Sequence, residues 1–499
     1  MSLPRRSQSA LEYMMTYGWA ILVIVIVAAV LYSLGIFSPS SAITSSVTGF
    51  SNLGSVAAQV IPNSGLVLSL GDSTGYNINI TNITISLDGK TSTIRPDSLI
   101  SSSSSSRFFI PFSSVPASSS YSFSVTVSYT EPGQIFPGPY VSTGTVYGAS
   151  TSSSGFYQAI TITNSQTTPT PAPFQQMINM SINNGGWYGT ISMIAPNYQN
   201  VEFFYPNGTV IPSWLENYSS SQFIYWIKLQ NGIPASSSVT IYMVYFPKSD
   251  NVLNNVNNGE APQLSSTYAE YDDGANVFLA YFNGNTPISN FNYYTTYIQL
   301  SQSTASLNGN NINVINDTRV ASGSFSVLIP EFILNVAIPN EPLFIESNTY
   351  LSATSSADNP RVALLSSTSP TSSLDAIGVN VGWAGAYFQE EYINNGGYTS
   401  DQAQQGSESV GWVYSSLLYT PGASSYYGYT APQLYSTTGG YSGSTTNTLL
   451  STGSLYIGGI GSPNTAYTLQ ENAMLFNWMR ARAYPPNGVM PSVTFGSVS

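Results

Sequence analysis

The chain has 499 residues, 11 Lys+Arg against 23 Asp+Glu, a formal net charge of −12, and neither His nor Cys. Without Cys there is no disulfide, thiolate nucleophile or Cys-ligated metal centre, and without His the usual general base and the Ser-His-Asp triad are missing. Eleven basic residues under a net negative charge argue against nucleic-acid binding, which needs clustered cations to neutralise phosphates. Only 7% of the residues are charged, against about 25% in ordinary soluble domains. Hydrophobic residues make up 42%, enough for folded cores. Solubility therefore rests on Ser, Thr, Asn, Gln and Tyr, a composition common in extracellular and envelope proteins.

Residues 1–37 stand apart from the rest. Arg5 and Arg6 precede Ser7-Gln8-Ser9-Ala10-Leu11-Glu12-Tyr13, and an uncharged apolar run extends from Trp19 to Phe37. At a rise of 1.5 Å per residue, about 20 helical residues cross a bilayer core, whereas the apolar part of a secretory signal spans about 7–15. The run is expected to be a transmembrane helix, with Tyr17, Trp19 and Tyr32 near its ends as interfacial anchors. The basic pair predicts an N-terminus inside and the bulk of the chain outside.

The order of Arg6-Ser7, Gln8, Glu12 and Tyr17-Gly18-Trp19-Ala20-Ile21-Leu22 resembles the class III signal peptide of archaeal type IV pilin-like proteins. Ser7 and Ala10 replace the residues more usual at their positions. The resemblance implies that a prepilin-type peptidase cuts between Ser7 and Gln8. It also implies that Glu12 pairs with the freed amine of a neighbouring pilin-like subunit. A lone carboxylate in an apolar helix is otherwise tolerated at the headgroup level beside the helix N-terminus. A plain anchor helix, or conventional cleavage after Ser40-Ser41-Ala42, are the alternatives.

After a Ser/Thr/Pro spacer at 38–48, residues 49–163 show period-two runs bounded by turn residues. Leu66–Leu70, Tyr76–Ile85 and Tyr121–Tyr129 alternate β-branched or aromatic residues with Ser, Thr and Asn, the pattern of half-buried strands. About 100 such residues suggest an immunoglobulin-like sandwich. The serine run 101–106 is expected to be an exposed loop. Thr167–Pro173 is expected to be a stiff linker within 164–173.

A second module is expected over 174–267, with strands around 200–206, 211–216, 225–229 and 240–245. Asn207-Gly208 is a strong turn signal. This succession resembles an uncharacterised β-domain family of archaeal and bacterial surface proteins, found just before a concanavalin A-like lectin domain. The resemblance implies such a jelly roll over 268–499. Its first strands would be Tyr271–Gly274 and Val277–Phe282, and its last Phe476–Pro486, lying beside them. Val362–Leu365 and Leu455–Gly458 would be strands between. The expected fold class is thus mostly β: one N-terminal helix, then an immunoglobulin-like sandwich, the uncharacterised β-domain and the jelly roll.

Candidate sites follow from residue types. Asn79, Asn82, Asn179, Asn207, Asn217 and Asn316 each begin an Asn-x-Ser/Thr sequon, a glycan acceptor. Asp272, Asp273 and Asn276 offer hard oxygen ligands for calcium, the bland reading being an Asp-Gly turn. Trp383, Tyr387, Trp412, Tyr426, Tyr427 and Tyr429 are aromatics that could stack on sugar rings, although most aromatics in a β-sandwich are core or cross-strand pairs. Trp214, Trp226 and Trp478 are expected in the core. Jelly-roll glucanases carry Glu-x-Asp-x-x-Glu; here Glu270-Tyr271-Asp272-Asp273-Gly274-Ala275 lacks the second Glu, and Glu390-Glu391 are adjacent strand residues on opposite faces. No enzymatic activity is expected.

The overall expectation is a membrane-anchored surface protein for adhesion or recognition, taking surface glycans as ligands. The alternative is an envelope or filament component without a ligand, and a carbohydrate-active enzyme is the weakest reading. Titrating all 23 acids would carry the formal charge only from −12 to +11. Few paired carboxylates would then be lost in acid, which suits an acidic habitat.

Overall fold

The computed structural model describes residues 45–113, 115, 117, 119–150, 155–182, 193–320, 329–351, 361–369, 375–380, 387–394, 397–404, 411–422, 425–431, 441–444, 450, 453–461 and 474–498. The protein is mostly β and is built of several antiparallel sheets. Among the described residues no helix is long and apolar enough to cross a membrane. The expected membrane helix, the Ser7/Gln8 cleavage site and Glu12 lie outside the described residues.

The chain divides into two compact units. The first runs to Phe156 and includes Asn207–Thr209; the second holds Tyr157–Pro206 and Val210–Ser499. In the first unit one sheet has the order Ser46–Gly49, Tyr140–Ala149, Ser120–Thr130, Ile78–Leu87, Lys90–Ile94, with Ser98–Ile100 also on Ile78–Leu87. The other is Leu53–Ile61, Gly65–Asp72, Ser105–Pro111. Period-two alternation decides which face is buried. Phe123, Val125, Val127 and Tyr129 point inward from Ser120–Thr130, while Ser122, Ser124, Thr126 and Ser128 lie on the other face. The inward residues pack with Ile83 and Ile85 against Leu66, Leu68, Phe108 and Ile110 of the second sheet. Of the serine run, 101–104 is loop as expected, but Ser105 and Ser106 already begin a strand.

Strand register places the outward hydroxyls in rows across this sheet. Thr48, Thr145, Ser124, Ser86 and Thr91 form one row, and Thr143, Thr126, Thr84 and Thr93 the next. The Thr84 and Thr93 hydroxyls are 2.9 Å apart.

The second unit contains two sandwiches. The smaller pairs a sheet of order Val201–Phe204, Ser237–Tyr245, Phe156–Asn164, Ser492–Val498 with a sheet of order Phe174–Ser181, Gln222–Leu229, Ser213–Ser219, Asn258–Glu260. Phe203 of one sheet meets Tyr225 of the other edge to face at 5.2 Å. Asn258–Glu260 runs parallel to its neighbour. Two strands here fall outside the expected span 174–267: Phe156–Asn164, read from sequence as part of the preceding sandwich, and Ser492–Val498, read as part of the jelly roll. Their alternation identifies them as strands but carries no record of their partners. The Asn207-Gly208 turn lies between Val201–Phe204 and Ser213–Ser219, which belong to different sheets.

The larger sandwich has one sheet of order Ile298–Leu307, Asn310–Arg319, Met474–Ala483, Leu343–Leu351, Gly411–Tyr419, Ser425–Ala431, Tyr441–Ser444. The other has the order Phe291–Tyr293, Ile329–Leu334, Tyr456–Gly461, Arg361–Leu365, Ala376–Asn380, Tyr387–Asn394, Gly397–Gln404. Phe282, Phe332, Ile345, Leu364, Leu417 and Phe476 fill the space between them. The expected first and last strands do meet: Ala280–Asn283 pairs antiparallel with Met474–Ala483, Ala280 opposite Ala481. Tyr271–Gly274 is not a strand. The chain turns there and makes a single helical turn, Gly274–Val277, because the Asp272 Oδ1 atom accepts the Gly274 N–H at 2.9 Å and so competes with a ladder bond.

Candidate functional site

Two polar centres organise the interior of the second unit. The first is Asp272. Its Oδ1 accepts hydrogen bonds from Trp214 Nε1 at 2.8 Å and from the Gly274 N–H at 2.9 Å. Its Oδ2 accepts from the Tyr281 hydroxyl at 2.5 Å and from Asn283 Nδ2 at 2.6 Å. Burial raises the Asp272 carboxyl despite these four donors. Burial, then the neighbouring Asp272 charge, pushes Asp273 well above the carboxylate range. Gly259 and Gly274 are required beside this turn. A Cβ on Gly259 would lie 2.2 Å from Asp273 Oδ1, and one on Gly274 would lie 2.6 Å from the Tyr281 ring.

The second centre is Arg480, fully buried on Met474–Ala483. Its guanidinium lies 4.8–5.3 Å from the ring centroids of Phe278, Trp478, Trp226 and Trp214. It pairs with Glu216 at 2.7 Å and with Glu346 at 3.0 Å, and Arg482 reaches the same Glu346 oxygen at 3.0 Å. Glu216 also accepts from Trp226 Nε1 at 2.7 Å. Burial alone would raise the Glu346 carboxyl, but the two guanidiniums outweigh it and hold it below its usual value. The centre joins the two sandwiches: Trp214, Glu216 and Trp226 come from the smaller, Glu346 and Arg480 from the larger. It therefore covers the outward face of the larger sandwich's Leu343–Leu351 and Met474–Ala483 strands. Buried and engaged on several sides, it acts as a clamp.

The expected core role of Trp214, Trp226 and Trp478 is met, since all three are buried in one cluster. Of the calcium set, Asp272 has both oxygens taken by donors, Asp273 is buried with neither carboxylate oxygen hydrogen-bonded, and Asn276 Nδ2 donates to the Val256 carbonyl at 2.9 Å. Among the described residues no group of three or more acidic side chains is arranged to hold an ion. The turn that the Asp-Gly pair suggests is present, with the Gly274 N–H donating to Asp272 Oδ1.

The sugar-stacking candidates are not brought together as a described site. Trp383 lies outside the described residues. Tyr387 is placed as backbone opposite Gln404, and Tyr426, Tyr427 and Tyr429 opposite Gly443, Leu418 and Ser416. Trp412 is partly buried; its Nε1 donates to the Ser306 carbonyl at 2.8 Å, and its ring meets Tyr350 at 5.5 Å. That is a cross-strand aromatic pair. Glu390 and Glu391 are consecutive on Tyr387–Asn394, opposite Asp401 and Ser400.

Among the sequons, Asn207 and Asn217 are exposed, whereas Asn79, Asn82, Asn179 and Asn316 are partly buried. Asn79 Nδ2 donates to Asp97 at 2.7 Å, Asn82 Nδ2 to Thr84 at 3.2 Å, and Asn207 Nδ2 to the Pro96 carbonyl at 2.9 Å. Asn179 accepts from Gln222 at 2.8 Å and Asn316 from Thr318 at 3.1 Å. Sequence reasoning missed Arg480 and Arg482. Their signal was present: two of only 11 basic residues, spaced i, i+2 in an aromatic strand, so both on one face.

No family model matches the chain. The chain is 40% identical over 348 residues to uncharacterised protein 562 of Sulfolobus islandicus rod-shaped virus 1, covering 67% of this chain and 58% of that protein. It thus spans less than two thirds of that relative's length. Solved structures give weak likenesses. A bifunctional GH43-CE protein of Bacteroides eggerthii has a TM-score of 0.27 at 10% identity, covering 86% of this chain and 54% of that one. A GH43 protein of Bacillus licheniformis has a TM-score of 0.29 at 8% identity, covering 87% and 86%. A xylan beta-1,4-xylosidase of Bacillus halodurans has a TM-score of 0.27 at 8% identity, covering 88% and 88%. Scores this low carry no argument about this chain.

Proposed function

We propose that the chain is an outward-facing adhesion or recognition protein, held in a membrane by its N-terminal apolar segment. On this reading its modules are an immunoglobulin-like sandwich, the uncharacterised β-domain and a concanavalin A-like jelly roll, with no catalytic role. The observation that carries it is the coupling of an uncharged run, Trp19–Phe37, to β-sandwiches in a chain with only 7% charged residues. A prepilin-type peptidase would act between Ser7 and Gln8, and Glu12 would serve assembly with pilin-like subunits. Surface glycans are the ligand class for Trp383, Tyr387 and the 426–429 tyrosines. The rod-shaped virus named for the relative favours a second reading, an envelope or filament component without a ligand.

The test uses the full-length chain, purified in detergent and immobilised, with cell envelopes of Sulfolobus islandicus as probe. Saturable envelope binding, with a mature chain that begins at Gln8 by mass spectrometry, is the expected result. Absence of envelope binding, with the chain recovered in isolated filaments or particles, would replace adhesion with the structural reading.

A further inference from the structure

The strand register of the first unit gathers four loops at one pole. Ser120–Thr130 runs into loop 131–139 and Tyr140–Ala149 returns from it, Tyr129 opposite Tyr140. Asn79 lies opposite Thr130, so loop 73–77 is at the same end. Ile78 lies opposite Ile100 and Gly71 opposite Ser105, which brings loop 101–104 there too. Gly49 lies opposite Gly144, and the Phe50 N–H donates to the Thr143 carbonyl at 2.8 Å, adding loop 50–52. Ser46 and Ser120, by contrast, pair near the far end of Tyr140–Ala149.

The pole is apolar at its tip. Ile135 is 90% exposed and Phe136 is 79% exposed, with Tyr76 at 50%. Single exposed apolar residues are ordinary, but adjacent ones at a loop tip present a continuous apolar contact. This tip is held in place. The Glu131 N–H donates to the Pro137 carbonyl at 2.8 Å, and the Tyr140 hydroxyl donates to the Phe136 carbonyl at 2.5 Å. The loops beside it are tied as well: the Ser102 N–H donates to Asn77 at 3.0 Å and the Ser103 N–H to Asp72 at 3.3 Å. A tip already ordered loses little conformational freedom on docking.

We infer that this pole is a docking surface for a folded protein partner, with Phe136 and Ile135 as the side chains that enter an apolar pocket on it. The four loops carry no Lys or Arg, and Glu131 is their one charged residue. Nothing here would hold anionic headgroups or phosphates, so a lipid surface is the poorer fit. Ser, Asn, Gly and Tyr around an aromatic anchor instead match the composition of loops that recognise protein surfaces from one end of a sandwich. The pocket's rim is rich in hydrogen-bonding groups and is neutral or basic where it faces Glu131. This deepens the adhesion reading and rests on it.

The test compares the full-length chain with the Ile135→Ser/Phe136→Ser double variant and with Tyr147→Ser as an off-pole control. Binding is measured to the envelope preparation described above, untreated, protease-treated or periodate-oxidised, and to vesicles of the extracted envelope lipids. On periodate-oxidised envelopes, where glycan binding by the second unit's aromatics is removed, a tenfold or greater loss in the double variant, matched by protease treatment and not by Tyr147→Ser, is the expected pattern. Because both changed residues are exposed, equal melting temperatures confirm that the variant is folded. Undiminished binding by the double variant would overturn this inference and leave adhesion standing. Vesicle binding that depends on Phe136 would reassign the tip to lipid, and Phe136-dependent binding that is periodate-sensitive and protease-resistant would reassign it to glycans. Failure of the unmodified chain to bind envelopes would sink both readings.

Discussion

In the first unit, the side chains that fill the space between sheets are apolar, among them Phe108, Ile110, Phe123 and Ile83. Its one buried carboxylate among the described residues is Asp72, at the end of a strand. The second unit buries Glu216, Glu346, Arg480 and Arg482 among tryptophans. A single sandwich closes on its own apolar faces, and position within it needs no further specification. Two sandwiches that must hold one mutual arrangement use directional contacts, and a guanidinium shared by two carboxylates and four rings supplies direction that apolar area does not. Buried ion pairs are often no more stabilising than apolar replacements of the same shape, but breaking one strands its partner.

The strongest way to break the contrast is Arg480→Ala. It removes the ion pairs that Arg480 makes with Glu216 and Glu346, and should destabilise the second unit by about 5 kcal/mol, from about 3–5 for a broken buried pair plus the lost ring contacts. Calorimetry should show the second unit's transition falling while the first unit's stays in place; a parallel fall of both would refute the division. Next comes pH. Asp272, Asp273 and Glu260 are raised by burial, and Glu341 is raised by burial to about 7. A raised carboxyl contributes stability that is complete below its unfolded value and is lost as pH rises through its folded value. Glu346 is lowered, so its contribution is present above its unfolded value and is lost as pH falls through its folded value. The second unit's melting temperature should therefore rise from pH 8 to pH 5 and fall again well below pH 4. A monotonic fall from pH 8 to pH 5 would contradict this assignment.

Two smaller changes sharpen the picture of the first unit. Ile83→Val removes one methylene from the apolar core and should lower stability by about 1 kcal/mol, read in the first transition alone. Thr126→Val, on the outward hydroxyl face, should stay within about 0.5 kcal/mol. A larger loss from Thr126→Val would mean that the hydroxyl rows contribute to stability as a connected network.

Much of the fold was legible because alternation is local. Tyr121–Tyr129 shows inward and outward residues one by one, and Trp214, Trp226 and Trp478 in apolar strands could hardly lie elsewhere. The pairing of Ala280–Asn283 with Met474–Ala483 followed from a resemblance. What stayed hidden depends on partners far along the chain. Arg480 looks like an isolated charge until Glu346, 134 residues away, is placed beside it. Tyr271–Gly274 has strand-like neighbours, and only the side chain of Asp272, taking the Gly274 N–H, diverts it. The Ile135-Phe136 tip was written in the sequence as Gln134-Ile135-Phe136-Pro137, but apolar residues in a short run give no sign of exposure until the loop is built.

Ser492–Val498 completes the sheet that holds Phe156–Asn164, and Gln158 Nε2 donates to the Gly496 carbonyl across 338 residues. At about 5–20 residues per second of synthesis, that edge waits roughly 20–70 s for its neighbour. Apart from a single bridge between Phe108 and Thr209, the first unit's strand pairs lie within Ser46–Ala149, so they can close early in that interval. The larger sandwich is thereby threaded, in time as well as in sequence, between two strands of the smaller one. A ribosome that stalls before Ser492 would release a chain with an open strand edge, the feature through which unfinished β-proteins aggregate.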